Sequence, residues 1–275
     1  MNIAQRFNDI SRVLIAFLLL DLALLVAMAP WNIVMLLTDG FAALPLPAIA
    51  AIAAGAWCLA APAMAAAFAA YRDAVTMRNG EYDAERDRRN KLYRSTAAIA
   101  DPYWSPAEDH RTLRPYIRTY LRLAPKAFTL SVIYAIPLAL LAAGACAFLA
   151  QSAPCAAVLI ALLAFTMVAH LVSLNAMVEF PNARYSALVR TGFVFAARRF
   201  PFTVLALAIL VLYLWLLLQW PWIMLLFGTG LTFFFLYHTV EQITKPVLMQ
   251  MIAEETAPEQ ATAEQSIPAQ SAVDI

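Results

Sequence analysis

The chain alternates long apolar stretches with polar, basic ones, and the apolar stretches are too long for strands or ordinary core helices. Reading windows of about 19 residues places apolar segments near 12–36, 46–70, 127–150, 154–178, 202–220 and 222–247. A bilayer crossing takes roughly 20 apolar residues in a row, whereas buried soluble helices stop at about 10–14. The six segments fall into three pairs, joined by short connections without Lys or Arg: Leu37 to Pro45 with Asp39 and Gly40, Gln151 to Pro154, and Gln219 to Trp222. Short connections between long helices make antiparallel hairpins. The expected fold is therefore all-α, a polytopic membrane helical bundle of six transmembrane helices in three hairpins. Residues 1–250 form the membrane domain. Residues 251–275, rich in Ala, Gln, Glu, Ser and Pro without an apolar period, are expected to be a disordered cytoplasmic tail. Pro221 is open between a hairpin tip and a kink, and the charge pattern favours the tip.

Charge gives the bundle a direction. With 63% apolar and 13% charged residues, the composition departs from the soluble balance of about half apolar and a quarter charged. All 19 Lys and Arg fall on one side of the expected topology. Twelve lie between Tyr71 and Lys126, four between Arg184 and Arg199, and the others are Arg6, Arg12 and Lys245. Positive residues near span ends stay inside, which places both termini and the 71–126 loop in the cytoplasm of a cell-membrane protein. The long first apolar run, with Pro30 and Trp31 where a cleavage site would need small residues, does not resemble a signal peptide. Trp31, Trp220 and Trp222 are expected at the outer interface. From Leu113 to Phe128, Tyr116, Tyr120, Leu123 and Phe128 interleave with Arg114, Arg118, Arg122 and Lys126, as in an amphipathic helix at the cytoplasmic membrane surface. A similar interfacial piece precedes the fifth span, Ile117–Thr119 and Val189–Thr191 matching at the same offset as Ala124/Lys126 and Ala196/Arg198.

Ionisable groups at membrane depth are costly and mark candidate sites. Asp21 lies about 13 Å along its helix from Arg12, near the bilayer centre. It either couples a proton or cation with a buried partner such as His170, Asn175 or His238, or it faces a polar seam inside the bundle. His238 and Glu241 share a helix face at i, i+3. Glu179 and Glu241 are expected to pair with Arg184, Arg190 or Lys245. Cys58, Cys146 and Cys155 lack CxxC spacing and read as small packing residues, although Cys146 and Cys155 flank one short connection. No zinc-type ligand spacing, phosphate-cradling glycine loop or GxSxG elbow is present, and Gly totals 7. The residues point to no metal, cofactor, nucleic acid or enzymatic reaction. Arg86, Arg88, Arg89, Lys91, Arg94, Arg114, Arg118, Arg122, Arg190, Arg198 and Arg199 are candidates for contact with anionic lipid head groups or a partner protein.

The order of APW at Ala29 to Trp31, APAMAAAFAAYRDA at Ala61 to Ala74, RPYIRTYLRLAPKAF at Arg114 to Phe128 and YSALVRTGFVFAARRFPFTVL at Tyr185 to Leu205 resembles the YesL-like family of bacterial multi-pass membrane proteins. The chain departs from that pattern at Ala60 and Ala61, where Thr and Gly tend to precede the Pro-Ala, and in its extended inner loop. The family has no established activity. The resemblance implies an accessory or regulatory role beside carbohydrate uptake systems of the ABC type, with ABC permease subunits as partners. A small secondary transporter using an intramembrane Asp/His pair is the alternative.

Overall fold

A computed structural model describes residues 19–36, 45–77, 103, 113–149 and 151–244. The outermost residues of the first and last expected spans, the arginine cluster Arg86 to Arg94, Lys245 and the 251–275 tail lie outside them. Every extended element is helical, and no strand occurs among the described residues. Helix α1 covers residues 19–36, as 19–27 and Ala29–Leu36 either side of a turn at Met28. The Met28 N–H to Leu24 O and Asn32 N–H to Met28 O bonds carry the helix through that turn. Then follow α2 (Leu46–Met77), α3 (Leu113–Leu149), α4 (Ala153–Glu179), α5 (Tyr185–Arg198) and α6 (Phe200–Gln219). The last helix, α7, covers 221–244: Pro221–Ile223 is α-helical, Met224–Gly228 is π-helical, and 229–244 is α-helical again.

Four stretches are long and apolar enough to cross a membrane: Ala48–Asp73 in α2, all of α3, all of α4 and all of α6. Helices α1 and α7 occupy the other two apolar segments, but the turn at Met28 and the π segment interrupt them. Side chains from the two sides of each short connection come together. The Trp31 and Trp57 rings meet at 5.0 Å, Ser131 meets His170 across α3 and α4, and the Tyr213 and Phe233 rings lie 6.3 Å apart. A straight helix would hold those last two about 30 Å apart, so the single non-helical residue Trp220 before Pro221 is a turn rather than a kink.

Helix α2 is the axis of the packing. From Ala56 to Asp73 every residue except Leu59 is buried. The run of alanines explains this, because side chains no larger than a methyl let neighbouring backbones approach closely where lipid supplies no hydrophobic drive. Around α2 stand the C-terminal half of α4, buried without interruption from Val168 to Val178, and one face of α3 through Tyr116, Leu123, Leu130, Tyr134 and Leu138. The C-terminal halves of α3 and α6 and the N-terminal half of α4 expose Leu140, Val158, Ile160, Val211 and Leu218 instead, as lipid-facing surfaces do.

The two expected interfacial helices differ from expectation. Residues 113–126 are not a separate surface helix, since α3 runs unbroken for 37 residues, about 55 Å at 1.5 Å per residue. Helix α5 is separate, yet it folds back along α4: the Leu188 carbonyl accepts from Ser173 Oγ at 2.9 Å, and the Phe193 ring lies 6.1 Å from that of Phe165. Its small and apolar face, Leu188, Gly192 and Ala196, is buried, and Arg190, Arg198 and Arg199 are exposed.

Candidate functional site

Polar side chains inside the bundle are arranged in short, closed networks. In the first, Trp57 on α2 donates its indole N–H to Nδ1 of His170 on α4 at 2.8 Å, and His170 Nε2 lies 2.8 Å from Ser131 Oγ on α3. An indole nitrogen only donates, so Nδ1 must offer its lone pair. The ring is therefore the neutral tautomer with its proton on Nε2, which it donates to Ser131. Ser131 passes its own hydroxyl proton to the Ala127 carbonyl at 2.8 Å. Every donor and acceptor of His170 is used. A little further along the same helices, the Tyr134 hydroxyl meets Ser173 Oγ at 2.7 Å.

The second network surrounds the π segment of α7. A wider i→i+5 turn shifts the hydrogen-bond register, and such turns are frequent at functional sites. Thr229 N–H reaches back five residues to the Met224 carbonyl, and the next N–H, that of Gly230, is taken by Oδ1 of Asp21 on α1. The Gly230 carbonyl in turn accepts the Tyr71 hydroxyl from α2 at 2.7 Å. Gly230 is thus clamped on both sides, and glycine is required there: a Cβ would stand 2.9 Å from Asp21 Oδ1. Asn32 Oδ1 accepts from the Tyr213 hydroxyl at 3.1 Å, leaving its own Nδ2 unpartnered.

The third is ionic and closes the end of the bundle at the long 78–112 connection. Arg72 Nε contacts Asp73 Oδ1 at 3.0 Å, and Arg72 Nη1 contacts Glu179 Oε2 at 3.3 Å. Tyr103 is seated on this pair. Its backbone N–H donates to Asp73 Oδ2 at 2.9 Å, its hydroxyl to the Val178 carbonyl at 3.0 Å, and its ring lies under the guanidinium groups of both Arg72 and Arg122. Burial pushes the Tyr103 phenol above its ordinary range, against the pull of the two arginines. Nearby, Lys126 Nζ donates to the Pro181 and Ala183 carbonyls, bracing the turn between α4 and α5.

The residues singled out from sequence are thus dispersed. Asp21 and His170 occupy different networks, and no hydrogen bond or ion pair joins them. Asn175 Nδ2 donates to Thr244 Oγ1 at 3.0 Å, and its Oδ1 is unpartnered. His238 Nδ1 and Glu241 Oε2 are 3.5 Å apart. Glu179 takes a partner outside the expected set, Arg72. Among the described residues, no three of His, Cys, Asp and Glu gather as a metal site would require. Arg114, Arg118 and Arg122 share an exposed face of α3. Trp57, Tyr71, Arg72, Tyr103, Ser131 and Gly230 were missed in the sequence. The one available signal was Arg72-Asp73, two adjacent charges at the end of an apolar run.

Together these features define a protein that is helical throughout its described elements, with four candidate membrane-spanning helices and interior polar networks that leave Asn32 Nδ2 and Asn175 Oδ1 unpartnered. Comparison with protein-family models, curated proteins and solved structures finds no match.

Proposed function

We propose that this chain is a six-span, non-enzymatic protein of the cell membrane, with both termini in the cytoplasm, acting as an accessory or regulatory partner of another membrane assembly. Helices α1 and α7 complete the six crossings, since they coincide with apolar segments and the chain reverses beside each. The observation that carries the reading is the closure of His170 between Trp57 and Ser131. A side chain filled on both nitrogens has no free position for a substrate or a mobile proton. The cytoplasmic face then remains as the working surface, and the YesL-like resemblance suggests a carbohydrate ABC permease as its partner. The test is affinity purification of the full chain from detergent-solubilised membranes: recovery of ABC permease subunits is expected, and a homo-oligomer alone would overturn the partner assignment.

The π segment beside Asp21 favours a second reading, a small secondary transporter in which Asp21 couples ion movement. Asp21→Asn separates the two. Unchanged growth or uptake, with loss on charge reversal of Arg86 to Arg94, removes the transporter, whereas loss with Asp21→Asn supports it.

A further inference from the structure

We infer that Asp21 takes up and releases a proton through a short relay made by the hydroxyls of Tyr213 and Thr229 and a water held by Asn32. The inference rests on the second reading above and deepens it by naming the ion and the side chains that hand it on. Its basis is the order of polar groups between α1, α6 and α7. Asp21 Oδ1 accepts from the Gly230 N–H. Thr229, the residue before Gly230, is a hydrogen-bond partner of the Tyr213 hydroxyl, and that hydroxyl reaches Asn32 Oδ1 at 3.1 Å. Asp21, Asn32, Tyr213 and Thr229 are 5%, 3%, 3% and 0% exposed, so the row runs inside the bundle, shielded from lipid. The π segment makes the row possible. The Thr229 N–H and Oγ1 both turn back to the Met224 carbonyl, which leaves the Gly230 N–H for Asp21.

Three features select a proton over a metal ion. The unpartnered group in the row is Asn32 Nδ2, an N–H donor, which repels a cation and is satisfied by the oxygen of a water. Asp21 is the single carboxylate of the row, whereas a hard divalent cation gathers about six or more oxygens. Among the described residues no Lys, Arg or His side chain pairs with Asp21, so protonation is the direct way to remove its charge inside the bundle. The titratable side chains facing it are Tyr71 from α2 and Tyr213 from α6. Tyr71 gives its proton to the Gly230 carbonyl at 2.7 Å, which has none to pass on, and the Phe234 and Tyr237 rings lie 5.5 and 6.1 Å from its own. Tyr213 stands between two polar side chains, and the relay runs on its side. In one transfer the water at Asn32 passes a solvent proton to the Tyr213 oxygen, and Tyr213 gives its own to Thr229. Thr229, rotated off the Met224 carbonyl, gives its own to Asp21. The water and both hydroxyls end as they began, and the carboxylate becomes a carboxylic acid.

The full chain in nanodiscs is followed by infrared spectroscopy after a rapid downward pH jump. A carboxylic-acid C=O band that is missing in Asp21→Asn should report protonation of Asp21, with the same midpoint in the wild type and the relay variants. Tyr213→Phe and Thr229→Val should slow its appearance about a hundredfold, and Thr229→Ser should restore it. Thr166→Val, which removes a hydroxyl bonded within α4, should match the wild type. A spectrum unchanged by Asp21→Asn overturns the proton site. Equal rates in the wild type, Tyr213→Phe and Thr229→Val, at unchanged melting temperature, overturn the relay, as does slowing by Tyr71→Phe alone. Uptake decides the second reading separately. Loss of uptake in Asp21→Asn with equal rates leaves a transporter without this relay, and a slowed rate with uptake intact leaves the relay without transport.

Discussion

The Trp57 indole N–H and His170 Nδ1 are joined at 2.8 Å, and this bond ties the central helix α2 to the most buried part of α4. Because Ser131 occupies the other ring nitrogen, the histidine links three helices at once. Ser131→Ala removes one acceptor and leaves a buried ring N–H without a partner, at a cost of about 1–3 kcal/mol. A lowered midpoint of thermal unfolding in detergent is expected. An unchanged midpoint would mean that the His170 network does not hold the core. Combining Ser131→Ala with His170→Phe should give less than the sum of the two separate losses, since both remove the same bond.

Asp21 uses its carboxylate on a backbone donor, which an amide can also serve. Asp21→Asn keeps an oxygen for the Gly230 N–H and should leave stability close to wild type. Asp21→Ala leaves that N–H buried and bare and should lower stability by about 1–3 kcal/mol. Gly230→Ala should be at least as damaging, because the added Cβ meets Asp21 Oδ1 at 2.9 Å. Thermal unfolding of the three variants, read by circular dichroism, gives the order; instability of Asp21→Asn equal to that of Asp21→Ala would contradict it.

Much of the fold was legible because hydropathy acts over whole helices. The helix breaks at Gln151–Ser152 and at Trp220 fall where the uncharged connections were expected, and Pro221 opens a new helix. The interior networks were not legible. Hydrogen bonds between α2, α3 and α4 depend on helix rotation and crossing, which alanine-rich sequence does not specify. Trp57 and Tyr71 read as apolar residues until their polar atoms meet His170 and Gly230. The π segment was hidden for the same reason: Met224 to Gly228 is an unremarkable apolar run, and its register shift shows in the bond from the Thr229 N–H to the Met224 carbonyl. The continuity of α3 was missed because charge density suggested a boundary near Lys126, while Ala124, Ala127 and Leu130 carry the helix across it.

Tyr103 anchors the long connection to the bundle through a backbone donor, a hydroxyl and a ring. Tyr103→Ala should release that connection and raise its cleavage rate by protease in inside-out vesicles several-fold, while Tyr103→Phe, which loses only the hydroxyl bond to Val178, should show a smaller rise. The phenol has its pKa raised by burial from 10.0, so the folded state holds the proton more tightly than the released one. The stabilisation this gives is fully present below pH 10.0 and is lost as pH rises through the higher folded value. Cleavage by an alkaline-stable protease should therefore increase above that pH in the wild type and not in Tyr103→Phe, and the same rise in both would remove Tyr103 as its cause.

Helix α5 depends on one residue for its close approach to α4. A Cβ on Gly192 would collide with Ser173 Oγ, the Ala169 carbonyl and the Tyr134 hydroxyl, all backbone or tightly bonded groups that have little room to move. Leu188 and Ala196, one turn to either side, are buried in the same face, so the helix cannot relieve the clash by rotating without exposing them. Gly192→Ala should cost about 1–3 kcal/mol as an overpacked contact, and Gly192→Val should lift α5 away from α4. A cysteine placed at Leu188 in the Gly192→Val background should then react with a membrane-permeant thiol reagent much faster than in the parent, in a chain whose Cys58, Cys146 and Cys155 are replaced by alanine. Equal protection in both backgrounds would show that α5 does not need the glycine to dock.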